Sequence, residues 1–196
     1  MSLCSNNNTT QSAIESVLSA EADTYHREFC GRELIDPELI DKLVLSICES
    51  CEISYPHFKF HHLINELITN AIDHGVLCLD SHMKDSIAGF EYYLIERAKR
   101  FGELSSGRVF LSVEWVGASL LRIVVQDSGT GFEVSSYCDN TDLPDSDCLP
   151  KSYGRGLAII RNLCRSVEHI GCGNCTVVEF DINACLLYTS PSPRDS

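Results

Sequence analysis

The 196-residue chain carries 28 acidic against 15 basic side chains, a formal net charge of -13, with 44% hydrophobic and 22% charged residues. That length suits one domain with a real core and leaves little room for a second. So acidic a chain lacks the clustered lysine and arginine that nucleic acid demands, which sets that partner aside, and no apolar run approaches the ~20 residues that cross a bilayer, so no membrane is expected either.

From the N-terminus, MSLCSNNNTTQS is polar and shows neither the basic nor the apolar region of an export signal, so the cytoplasm is the expected compartment. Weak helix signals run over 12–24, and residues 1–34 read as a partly flexible flank. The domain proper is expected over 35–184. DPELIDKLVLSICESC predicts a helix with Asp36 as its N-cap and Pro37 at the first position. SYPHFKFHHLINELITNAIDHG predicts a second, with Leu63, Ile64, Leu67, Ile68, Ala71 and Ile72 as the apolar stripe and Gly75 as the stop. GFEYYLIERAKRFGEL predicts a third, with Phe90, Tyr93, Leu94, Arg97, Phe101 and Leu104 at helical spacing.

The period then changes. RVFLSVEWVG and SLLRIVVQDSG alternate like two antiparallel strands joined at Gly117-Ala118. A long polar stretch, 133–153, precedes GRGLAIIRNLCRSVEHI, expected as one long helix, and CTVVEFDI, expected as a strand. This order predicts an α+β fold, a two-layer sandwich with helices on one face of a mixed, mostly antiparallel sheet. The final CLLYTSPSPRD resembles one translated frame of a library-preparation adapter, so 185–196 is expected to lie outside the fold, the competing reading being a short native tail. On the adapter reading a natural C-terminus is missing, and Met1 has a counterpart reading as an internal methionine.

Eleven cysteines without an export signal are expected as reduced thiols. They include two Cys-x-x-Cys pairs, Cys48/Cys51 and Cys172/Cys175, but zinc ribbons usually place such pairs roughly 15–20 residues apart, and most of the chain separates these. Packing or surface thiols are the simpler expectation.

Three short motifs stand out. In NELITNAIDHG, Glu66 and Asn70 lie one helical turn apart and project from one face. In DSGTGF, Asp127 ends a strand, and Gly129 and Gly131 let the backbone turn and approach a ligand closely. In YGRGLAII, Gly154 and Gly156 flank Arg155 at a helix start, where free N–H groups and the dipole favour phosphate. Taken singly these also suit a solvated polar stripe, an ordinary turn and a loop entering a helix.

Taken together and in this order, they resemble the N box and the two glycine boxes of the GHKL-type, histidine-kinase-like ATPase superfamily, which includes gyrase, a heat-shock chaperone, histidine kinases and a mismatch-repair ATPase. The resemblance spans residues 35–183 and implies the Bergerat-type ATP-binding fold. It implies ATP and Mg2+ as cofactors, with Asn70 as the magnesium ligand, a hard cation seeking oxygen. Glu66 is then the catalytic base and Asp127 the acceptor for the adenine amino group, with Gly129 and Gly131 beside the base. Lys151, Gly154, Arg155 and Gly156 are implied around the phosphates, and 133–153 as the ATP lid. His74 reads as a helix-end residue.

NELITNAIDHG and GRGLAIIRNLC look most like the bacterial anti-sigma-factor serine/threonine kinases. The likeness implies a regulatory kinase that phosphorylates a small antagonist protein and switches partners, with a sigma factor as a further partner and a homodimer as the family's usual assembly. Phosphoryl transfer of that kind needs positioning, charge neutralisation and a base for the hydroxyl. The stretch VLCLDSHMKDSIAGFEYYLIERAKRFGELSSG is longer than the compact kinases need. It resembles the kinase-like domain at the end of response regulators that carry a serine phosphatase domain. Two features depart from the pattern: the 133–153 stretch is acidic, with Lys151 and Arg155 the cations expected near phosphate, and either Thr176 or a neighbour takes the strand position near adenine. The alternatives are a nucleotide-dependent binding module, an anti-sigma factor without transfer, and a sensor histidine kinase catalytic domain. The last lacks a paired-helix phosphoacceptor segment, since His61 and His62 fall inside the ATP-site helix.

Overall fold

The computed structural model describes residues 24–54, 58–131 and 155–183. The expected lid, Lys151, Gly154 and the 185–196 tail therefore lie outside the described residues. In chain order the elements are β1 (Thr24–Cys30), a 3-10 turn (Gly31–Ile35), α1 (Leu39–Ser50), α2 (Phe58–Asn70) running into a π-helical turn (Ala71–Val76), and a second 3-10 turn (Ser81–Asp85). Then follow α3 (Ile87–Glu103), β2 (Arg108–Trp115), β3 (Leu120–Asp127), α4 (Arg155–Leu163), β4 (Ser166–Ile170) and β5 (Cys175–Asp181).

The five strands form one sheet in the order β1-β2-β3-β5-β4, and every pairing is antiparallel. The architecture is the expected α+β sandwich, with an antiparallel rather than mixed sheet. Alternation explains which face is covered. Phe29, Leu111, Ile123 and Phe180 point one way from successive strands and join Leu43, Ile47, Phe60, Ile64 and Ile68 of α1 and α2 in a single core. The Phe60 and Phe180 rings meet at 5.7 Å. Each fully buried side chain of this kind contributes about 1.5–3 kcal/mol relative to exposure. Val124, Cys175 and Val177 form a smaller patch of strand residues on the opposite face.

The β2–β3 hairpin falls where the alternation placed it, with Val113 opposite Ile123 and the Val116 N–H bonded to Leu120 at 2.9 Å. Four boundaries differ. The sheet takes in Thr24–Cys30, which lies inside the expected flank; only Tyr25 and Phe29 are apolar inward-facing residues there, too few to stand out in sequence. Helix α1 begins at Leu39, because Asp36, held extended before Pro37, opens a turn in which its carboxylate accepts the Glu38 N–H at 2.9 Å. Helix α4 stops at Leu163, and the expected end of that helix is strand β4: the Arg165 N–H bonds to Glu179 at 2.7 Å, and Val167 then pairs with Val178. On α3, Tyr93 and Phe101 are buried, whereas Phe90 and Leu94 are 48% and 49% exposed, so the apolar stripe is narrower than expected.

The fourth boundary matters most for the site. Gly75 does not stop α2 as a left-handed cap. The helix widens into the π turn, with the Leu77 N–H reaching back five residues to Ile72 at 2.8 Å. Turns of this kind are rare and gather at functional sites.

Candidate functional site

The three motifs, scattered over some ninety positions, meet at one end of the sandwich. Helix α2 packs its apolar stripe into the core, which leaves half-buried Glu66 and Asn70 on its flank. Helix α4 starts against that flank. A Cβ placed on Gly156 would come within 2.7 Å of Glu66 Oε2 and 3.4 Å of both Asn70 side-chain polar atoms. The bare glycine therefore lets the first turn of α4, the end of a helix whose amides have no intrahelical acceptor, lie beside a carboxylate and an amide oxygen. Arg155 is the first residue of that turn.

The second junction lies at the end of β3. A Cβ on Gly75 would overlap the Asp127 carboxyl, and one on Gly129 would overlap the Gly75 carbonyl. The π turn thus presses bare backbone against Asp127 from one side while the strand holds it from the other. The carboxylate accepts the Gly129 N–H at 2.8 Å. Burial pushes the Asp127 carboxyl up to about 6, against the lowering effect of that amide.

Below it sits the β4–β5 turn. Asn174 binds the Asp127 backbone twice: its carbonyl accepts the Asp127 N–H at 3.0 Å, and its side-chain amide donates to the Asp127 carbonyl at 3.1 Å. Gly131 adopts φ +76, and a Cβ there would run into the Cys172 carbonyl. CGNC is therefore a turn that seats Asp127 and Gly131. Burial pushes the Cys175 thiol up to about 11, which leaves it unreactive. The described cysteines are thiols rather than disulfides, and no group of three or more His, Cys, Asp or Glu among the described residues could hold a metal.

Thr176 stands opposite Val125, on the same side of the sheet as Asp127, and its hydroxyl pairs with His169 Nδ1 at 3.1 Å. No family model matches this chain, and no curated protein matches it.

Several contacts around the site had no signal of their own in the sequence. Asp73, only 2% exposed, accepts hydrogen bonds from Tyr93 Oη and from Arg97 Nε, the latter at 2.7 Å. These partners lie 20 and 24 positions away, and no local period links them. The Lys84 ammonium lies 4.1 Å from the centre of the Tyr93 ring. His74 Nδ1 pairs with the Leu79 carbonyl at 2.6 Å, which agrees with a helix-end role. His61 is engaged with Asp41 at 2.8 Å on the far side of α2.

Two chemically distinct halves result. One is a recessed carboxyl with a raised proton affinity, framed by glycine backbone, which suits a flat ligand bearing an N–H donor. The other is a helix N-terminus beside Glu66 and Asn70, which suits an anion together with a hard cation. Asn70 and Glu66 offer oxygen donors of the kind Mg2+ takes, but too few to hold it alone. Such ions are usually held by one or two protein groups with phosphate oxygens and water supplying the rest.

Proposed function

We propose that this chain is an ATP- and magnesium-binding regulatory domain that transfers phosphate to a serine or threonine of a small protein partner, in the manner of the anti-sigma-factor kinases. One observation carries the reading: Gly156 at the start of α4 lies against Glu66 and Asn70, while Gly75, just beyond them on the same helical run, lies against Asp127. The phosphate-type and adenine-type halves are thus built from the two ends of one element.

Asp127 accepts the adenine amino group. Asn70 would hold Mg2+, which would supply neutralisation of phosphate charge, and the amides of α4 with Gly154, Arg155 and Lys151 would take the phosphates. Glu66 accepts the proton of the attacking hydroxyl, a task that needs it within hydrogen-bond reach of that group. The partners are an antagonist protein that exposes the hydroxyl and a sigma factor, and the setting is cytoplasmic.

Calorimetry with ATP, with and without magnesium, is the direct test, followed by transfer of labelled phosphate to an antagonist. Magnesium-dependent binding is expected. Glu66→Ala is expected to keep binding and to slow transfer by roughly 10²–10⁴. An unaltered transfer rate would remove Glu66 from the role of base. Binding without any transfer, even in the unaltered chain, would reduce the domain to a nucleotide-dependent grip.

A further inference from the structure

The described helices all send their buried side chains into the core on one face of the sheet. The other face is nevertheless out of solvent along its middle. There Ser112 and Glu114 of β2, Val124 of β3, and Val177 and Cys175 of β5 are buried. Glu114 is 1% exposed, although Arg122 opposite it and Glu179 on the next strand keep 30% and 27%. Arg122 Nη1 lies 3.2 Å from the Glu114 carboxylate, so that charge is met inside the sheet.

The register gives the buried patch a shape. Ser112 stands opposite Val124, Val124 opposite Val177, and Gln126 opposite Cys175. The patch is thus a diagonal band running from Glu114 on β2, across Val124 on β3, to Cys175 on β5. The off-diagonal corners, Phe110 and Glu179, are half-buried, and His26, Glu28 and Glu168 beyond them are exposed. Two strand spacings and four residues of rise make the band about 16 Å long. One helix is wide enough to cover it, at about 10–12 Å across. A single chain already buries these side chains, so the cover belongs to the chain itself.

The band starts where residues 1–23 join the sheet, since Thr24 pairs with Glu114. The preceding sequence, SAIESVLSAEAD, suits the cover. Ser12 and Glu15 have the spacing of a capping box. Ile14, Val17 and Leu18 share one helical face and Ser19 lies on the opposite one. A helix over 13–22 would be about 15 Å long, which matches the band. The other segments outside the described residues fit less well. Residues 184–196 leave β5 beyond Glu179, at a corner that the band avoids, and Pro191 and Pro193 break a helix there. Residues 132–154 leave beside Cys172, far from Glu114, and carry four aspartates that burial would penalise.

We propose that residues 13–22 form a helical strap lying diagonally across the second face of the sheet, with Ile14, Val17 and Leu18 seated over Ser112, Val124 and Val177. The face is then closed by the chain's own N-terminal segment, and another protein can take it only by displacing the strap.

The test uses the full chain with a reporter thiol, Val124→Cys, in the middle of the band. Its alkylation rate is read by peptide mass spectrometry beside that of Cys48, a buried core thiol that reports on the fold. Adding Leu18→Asp is expected to speed the reporter roughly tenfold or more and to leave Cys48 unchanged. Ser19→Asp, on the far side of the strap, is expected to change neither. A reporter that stays slow in Leu18→Asp, that is fast already beside the natural Leu18, or that responds equally to both variants would overturn the proposal. A reporter rate that falls with protein concentration would assign the cover to a second copy and overturn it too. Should Leu18→Asp also speed Cys48, the fold has opened, and Leu18→Ala takes its place; there the reporter is expected to react roughly threefold faster or more. No acceleration in Leu18→Ala would overturn the proposal equally.

Discussion

Asp73, within the π turn, and Asp127, packed against Gly75 of the same turn, are two recessed carboxylates provided for in opposite ways. Asp73 has a phenol and a guanidinium reaching it from α3. Asp127 has the Gly129 amide, glycine backbone packed on its flank, and a burial cost that its surroundings leave partly unmet. A carboxylate with its full set of donors joins two pieces of structure. One whose donors fall short is stabilised when a ligand brings another, which is why perturbed carboxyls gather at functional sites. The stretch after the π turn is thus tied to the domain at Asp73, and on the proposed function the ligand is met at Asp127.

The largest expected effect comes from breaking the first of these. Asp73→Ala leaves the Arg97 charge and the Tyr93 hydroxyl without their shared acceptor, and removing one member of such a buried pair costs about 3–5 kcal/mol. Arg97 is 36% exposed, and solvent reaching it moderates the loss towards the lower figure. Chemical denaturation should show this as a lower midpoint, and hydrogen exchange should show α3 opening ahead of the sheet. A variant as stable as the parent would mean that this stretch is held by its apolar contacts alone.

That pairing also shows where sequence reading reaches its limit. Glu66, Asn70, Asp127 and Gly156 were legible because each sits in a short string whose spacing has a local cause: one helical turn, a strand end, a helix start. Tyr93 and Arg97 were visible only as members of a helical stripe, and that stripe does not say that two of its members reach across to Asp73. Gly75 followed the rule for helix stops, yet its use is steric, to make room for Asp127. Strand β4 was hidden because SVEHI continues the apolar spacing of α4, and only the ladder to β5 decides between helix and strand. The cysteines of CGNC drew attention as a pair, whereas the turn's bonds to Asp127 come from Asn174.

A smaller effect breaks the other side of the comparison. Asp127→Asn keeps the shape and removes the charge, so ATP binding is expected to weaken by about 1–3 kcal/mol, the worth of a hydrogen bond to a charged group with its partner left mismatched. Calorimetry of the variant measures it, and the fold should be untouched, in contrast to Asp73→Ala. Unchanged affinity would take Asp127 out of the adenine role.

The smallest and sharpest test is pH, where the sign separates the two effects of Asp127. Its folded value, about 6, lies above the ordinary 3.8. The neutral form is therefore favoured by folding: the stability it contributes is fully present below about pH 4 and is lost as pH rises through 6. Ligand binding runs the other way, because the adenine amino group needs an ionised acceptor. At pH 5 roughly a tenth of the sites would be ionised, so ATP affinity is expected to be about tenfold weaker than at pH 8. In Asp127→Asn both slopes, in stability and in affinity, should flatten over pH 4 to 7. Loss of one slope without the other would mean that a second titrating group serves the ligand, and His169, whose proton affinity burial lowers, is the next residue to replace.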